Sequence, residues 1–390
     1  MPSIAELAAS IFENTIKVNE YMTRNDIVIP SLDLGSPISW NIPLEATDIL
    51  AARKAAIEAT VELQTLLLGP REHFIQLTRF SSNIPIHAIT RFNLANNVPI
   101  NGEIAVKDLA RQSKVDEQSL GRLLRYAINL KLFEYSKPGY ICHSVMSRML
   151  AENVDIHDYA SASCNEMWPS SAHVVDALNK FPGSQEPNET GFNLANDTQL
   201  TLYQYVEQHP VRARQKLINK VGGSNGFVAI ALAEAFSNLK CIVQDLPTVV
   251  KDMKAPANLS GRIEFLAHDF FEPQPVKNAD VYFFRWILHN WPDKYAVRIL
   301  QSLIPALKVG AKIIVYDEVL PPHGVLPEEM DLALAQLDIN MMTLQNAKLR
   351  SAEEWKQLFE QADSRFKFGG ITIPPGSALG FVEVEWMPTG

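Results

Sequence analysis

The chain has 390 residues, 47% hydrophobic and 20% charged, and carries a formal net charge of −9. That length asks for two or three folding units, the composition provides ample core and excludes wholesale disorder, and the acidic balance argues against a phosphate backbone or an anionic membrane as partner. Cys142, Cys164 and Cys241 lack CxxC spacing, so they read as packed, reduced thiols of a cytoplasmic protein, with neither a disulfide scaffold nor a zinc site signalled.

The opening residues, MPSIAELAASIFENTIKVNEYM, lack a basic region followed by a long apolar core, so no signal peptide is expected. No later window offers about 18 uninterrupted apolar residues. Ile4, Leu7, Ala8, Ile11 and Ile16 recur at helical spacing and predict a helix over 4–22. After a connector rich in Pro, Ser and Gly, a second helix is expected from about Glu45 to Leu68. Two such helices can pack on each other or on a second copy of the chain, and a homodimer is the expectation.

From Ile104 the elements shorten. Helices over Val106–Ser113 and Glu117–Leu130 precede Leu132–Tyr135, a Lys-Pro-Gly turn and Tyr140–Cys142, which is the outline of a winged helix. Its recognition helix would carry only Arg122 and Arg125 as cations, beside Asp116 and Glu117. That is thin for phosphate contacts, so a scaffold is preferred to a nucleic-acid reader.

From residue 217 strands, turns and helices alternate, which predicts a parallel sheet whose ligands bind at the carboxyl ends of its strands. LINKVGGSNGFVAIALAEAF reads as strand, glycine turn and helix. The following strands are expected to end at Asp245, at Asp269, at His289, and at Asp317 and Glu318. Gly222, Gly223 and Gly226 allow close backbone approach, and alone they mark either a tight turn or a nucleotide site. Asp245, about twenty residues on, can accept both hydroxyls of a ribose, and Asp269 can meet an adenine amino group. These stations fit an adenosine better than a pyrophosphate.

LQTLLLGPREHF, VGGSNG, VQDLPTVV, HDFFEPQP, RWILHNWPDK, PALKVGAKIIVYDEVLP and FVEVEW occur in an order that resembles the S-adenosylmethionine-dependent O-methyltransferases of plants and fungi, which include caffeic acid and sterigmatocystin methyltransferases. The resemblance implies a Rossmann-like class I methyltransferase domain over 151–390, α/β with a mostly parallel sheet, preceded within 1–150 by an all-helical dimerisation region and a winged helix. It implies that Gly222, Gly223, Asp245 and Leu246 hold S-adenosylmethionine, with Asp269 and Phe270 near the adenine and Arg285 where a lysine is frequent. It makes His289 the general base for a phenol or enol oxygen of a small natural product. An imidazole can take that proton near neutrality, and Glu318 at the end of the next strand is placed to orient it. The plainer reading of His289 is a capping or stacked residue, since NWPDK also reads as a helix start; position in the motif favours the base.

Asn165, Met167 and Trp168 fall in a stretch that lines the acceptor site in the resembled family. Met341 and Met342 read as pocket lining or as flexible core filling. Four departures stand out: Lys220 and Asn290 occupy positions where the family has aspartate, Leu349 removes one of two acids that support the histidine, and only ten residues separate Pro210 from Val221. They raise an alternative on the same fold, a non-methylating cyclase of the dehydratase or pericyclase type acting on a polyketide–amino acid hybrid, with His143, Arg285 or His289 polarising a carbonyl. No metal site is expected, because His289 has no HxH or carboxylate neighbour at ligand spacing.

Overall fold

The computed structural model describes residues 2–79, 82–208, 223, 226–322, 325–326, 328–374, 377 and 379–388. They form two compact units, Met1–Asn165 and Glu166–Gly390. The division comes after Asn165 and not after residue 150, because the helix Val154–Ala162 packs on the helix Asn83–Arg91 of the first unit.

In the first unit, α1 (Ile4–Arg24) starts at a capping box in which Ser3 accepts from the Glu6 backbone N–H and Glu6 accepts from that of Ser3. α2 (Thr47–Leu77) lies along it, and Val18, Met22, Ile42, Ile49 and Ala52 make their common core. α2 runs on to Leu77 instead of ending near Leu68. It is broken at Gly69, whose φ of 69° and ψ of 170° are open essentially to glycine alone. Phe12, Leu67, Phe74 and Leu77 each stay at least 65% exposed.

The winged-helix outline is present. Strands β1 (Glu103–Ala105), β2 (Phe133–Lys137) and β3 (Tyr140–His143) form an antiparallel sheet in the order β1-β3-β2. Helix Glu117–Asn129 starts where Asp116 accepts from the Ser119 N–H at 2.8 Å. Leu109, Leu120, Leu124, Phe133 and Ile141 fill the core beneath.

In the second unit, β4 (Cys241–Asp245) pairs in parallel with β5 (Ile263–Ala267), and β6 (Val281–Arg285) with β7 (Lys312–Asp317). Two short strands, β8 (Val319–Leu320) and β9 (Arg350–Ser351), pair in parallel beside the end of β7. The chain closes with β10 (Phe366–Thr372) and β11 (Gly380–Trp386), giving the order β10-β11-β7-β6. β11 runs antiparallel to both its neighbours. Its Val382, Val384 and Trp386 point inward between half-buried glutamates, the period of two expected of a strand with one core face. They meet Ile299 and Leu300 of helix Asp293–Leu303 and Trp355 and Phe359 of helix Ala352–Ala362. The expected first strand, with Lys220 and Gly222, lies outside the described residues.

Candidate active site

The glycine bend rests directly on β4 and β5. Gly223 donates its N–H to the Gln244 carbonyl at 2.8 Å, and a Cβ there would lie 2.4 Å from Val243 Cγ1. Gly226, at φ 75°, opens helix Phe227–Ala235, and a Cβ on it would come within 2.9 Å of the Phe265 ring. Only a backbone without side chains fits this close. At the adjoining strand ends stand Asp245, buried, whose Oδ1 accepts from the Leu246 N–H at 2.8 Å, and Asp269, exposed, which accepts from the Phe271 N–H at 2.9 Å. Leu246 is 39% exposed beside them. A bare helix start, two carboxylates and an apolar side chain fit the adenosine that the sequence implies. Phe270, expected near the adenine, packs its ring instead on Phe271 and Trp291, at centroid distances of 5.1 and 5.9 Å.

Gln244 and Gln274 exchange amide hydrogen bonds at 2.8 and 2.9 Å, and Gln274 also donates its backbone N–H to the Ser302 carbonyl. This amide pair ties β4 to helix Asp293–Leu303.

β6 ends earlier than expected, at Arg285. The next residue, Trp286, takes φ 54° and turns the chain, so His289 stands on the 3-10 turn Leu288–Asn290 and not on the strand itself. The imidazole is buried. Its Nδ1 lies 2.9 Å from Asp317 Oδ1 and 2.9 Å from Glu318 Oε2, while its backbone N–H donates to Asp317 Oδ2 at 3.3 Å. Burial pulls the imidazole pKa down, but the charge and hydrogen bond of Asp317, with those of Glu318, outweigh it and push the value up to about 9. Glu318, which burial would raise, is held below the ordinary carboxylate range by its hydrogen bonds with His289 and Asp317. Asp317 is fully buried, and that burial raises it.

Sequence reasoning placed Asp317 at a strand end but missed its contact with His289. Asp317 provides a second acid although Leu349 is apolar and buried, with its N–H donated to Asp338. The expectation of no metal site rested on linear spacing; in space the donor atoms of His289, Asp317 and Glu318 lie within 4.8 Å of one another. Arg350 was also missed. Its fully buried guanidinium donates to the carbonyls of Leu288 and Trp291, each at 2.8 Å, and pairs with Asp293, which clamps the turn carrying His289 from behind. Nothing in its local sequence, NAKLRSAEEW, singles it out. Asn290 donates to the Trp286 carbonyl at 2.8 Å, a structural contact. Arg285 lies 4.2 Å over the Trp286 ring and 5.5 Å from that of Phe227, the first residue of the helix after the glycine bend.

His143 leaves the candidate set. Its Nδ1 pairs with Ser147 Oγ at 2.9 Å and its Nε2 with the Val98 carbonyl at 3.1 Å, so both ring nitrogens serve the winged helix. Asn165 likewise donates to the Ser161 carbonyl and meets His87 Nε2 at 3.2 Å within the first unit. Met167 packs on Phe192, Leu202, Val206 and Leu344, and Trp168 opens a short helix of the second unit. Met341 is half-buried, while Met342 lines a cavity of about 230 Å³ with Phe181, Ser184, Glu189 and Lys348. That wall contains none of the His289 cluster.

Residues 181–365 match the family model of an O-methyltransferase domain. The O-methyltransferase gsfB of Penicillium aethiopicum is 35% identical over 421 residues, covering 98% of each chain. The grayanic acid biosynthesis cluster O-methyltransferase of Cladonia grayi is 36% identical, over 99% of this chain and 88% of its own. Among solved structures, one described as a pericyclic reaction enzyme superposes with a TM-score of 0.69 at 22% identity, covering 86% of this chain and 94% of its own. The complex of LepI with SAM superposes with a TM-score of 0.68 at 23% identity and the same coverage. At that identity the structures bear on the fold alone.

Proposed function

The chain belongs to the O-methyltransferase family, whose methyl donor is S-adenosylmethionine, and from that premise we propose that it methylates a phenol or enol oxygen of a small polyketide- or alkaloid-type secondary metabolite, with His289 as the base. The observation that carries this reading is the imidazole held on Nδ1 by two carboxylates, which leaves Nε2 for the acceptor. Bound S-adenosylmethionine supplies an electrophilic methyl carbon on a sulfonium. The chain's own residues hold the acceptor oxygen and its proton: Nε2 of His289 takes the proton, and Asp317 and Glu318 stabilise the imidazolium that forms. An imidazole raised to about 9 is close to a phenol's ordinary value of about 10, so the proton is shared between well-matched groups. Gly223, Asp245, Leu246 and Asp269 would hold the adenosine, and Arg285 stands between that bend and the histidine turn.

One feature favours the second reading, cyclisation without methyl transfer. Below about pH 9 the resting imidazole is an imidazolium, which donates a hydrogen bond and can polarise a carbonyl. Incubation with methyl-labelled S-adenosylmethionine and a panel of phenols and pyridones separates the two. Label in the product supports methylation, and cyclised product without label overturns it.

Exposed Phe12, Leu67, Phe74 and Leu77 on α1 and α2 support pairing with a second copy of the chain. Light scattering should give a dimer for the wild type and a monomer for Phe74→Glu; a wild-type monomer would refute the pairing.

A further inference from the structure

Trp286 is the residue at which β6 gives way to the histidine turn. Its φ of 54° lies in the left-handed region, which a bulky side chain adopts only when its surroundings hold it there. Those surroundings are visible. The Trp286 N–H donates to the Tyr316 carbonyl at 3.3 Å, and the Trp286 carbonyl accepts from Asn290 Nδ2 at 2.8 Å. The indole Nε1–H then donates to Glu318 Oε1 at 3.0 Å, while the other carboxylate oxygen, Oε2, meets His289 Nδ1 at 2.9 Å.

A glutamate side chain has free torsions that Asp317 does not need. Asp317 is fixed by burial, by the backbone N–H of His289 and by that of Glu318, at 3.3 and 3.1 Å. Of the hydrogen bonds that fix the Glu318 carboxylate, the indole bond is the one that assigns its two oxygens separate partners. The Arg285 guanidinium, 4.2 Å from the indole centroid, adds a cation over the ring face.

We propose that Trp286 is a positioning residue for the reaction: its left-handed backbone aims the indole N–H at one oxygen of Glu318, so that the other faces the His289 imidazole. The proposal rests on the reading of His289 as the proton-handling group. The charged groups that bear on that imidazole are Asp317 and Glu318, with Arg285 acting through the indole.

Trp286→Phe keeps an aromatic face for Arg285 and the same backbone requirement while removing the N–H. Removal lets the Glu318 carboxylate turn away from the imidazole, whose pKa it helps to raise, so the His289 titration followed by NMR in the resting protein should move down by about half a unit. In methyl transfer kcat should fall roughly 10-fold with KM for S-adenosylmethionine unchanged. In a Glu318→Gln background the same change should add less than about twofold, because the pair it serves is already altered. A titration that superimposes on the wild type, or effects that multiply in the double variant, would overturn the proposal. The titration needs no turnover, so it decides even if the protein transfers no methyl group.

Discussion

Two buried histidines stand near strand ends, one in each unit, and they have opposite chemistry. His143, at the end of β3, has only a serine hydroxyl and a backbone carbonyl as partners, and burial lowers its pKa. His289, past the end of β6, is just as hidden, but two carboxylates face its Nδ1 and its pKa climbs to about 9. Burial is common to both, so it is the charge of the partners that sends the two pKa values apart.

The contrast is tested most severely by deletion. His289→Ala should lower methyl transfer about 10²–10⁴-fold with cofactor affinity retained, whereas His143→Gln should leave kcat within about twofold; steady-state kinetics of the two variants with one acceptor decides. Neutralising the partners should then make one histidine resemble the other. Asp317→Asn or Glu318→Gln should bring the His289 titration down from about 9 and lower kcat about 10–100-fold, with the rising limb of the pH–rate profile moving to lower pH. An unmoved limb would show that another group controls it.

Stability should divide in the same way. A folded pKa raised from about 6.5 to about 9 adds up to about 3 kcal/mol below pH 6.5, which is lost as pH rises through 9. The buried Asp317, itself raised, takes part of this back. Urea unfolding of wild type and His289→Gln between pH 6 and 10 should therefore converge at the alkaline end. His143, lowered in the fold, should act with the opposite sign, its contribution present above about 6.5 and lost in acid. His143→Gln should cost about 1–3 kcal/mol near pH 8 and less near pH 5.

Much of this was legible in the sequence, for physical reasons that can be named. The glycines of VGGSNG announced a backbone pressed against its neighbours, and the Cβ positions at Gly223 and Gly226 are filled by Val243 and Phe265. The winged helix was readable from amphipathic spacing and one turn. Asp317 was not readable as a partner, because consecutive strand residues should face opposite ways; β7 ends at Asp317, the alternation lapses, and both acids turn to one imidazole. Nor could the early end of β6 be read, since a tryptophan gives no hint of a left-handed backbone. Arg350 depends on a chain crossing that local pattern does not encode.

The amide exchange between Gln244 and Gln274 carries neither a formal charge nor a titratable proton. A shift in acidity that rewrites the protonation of the histidine cluster therefore passes this rivet by. β4 therefore stays tied to the helix Asp293–Leu303 whatever the protonation of the histidine cluster, and a change of pH that alters the charge of one part of the second unit leaves this seam between strand and helix as it was.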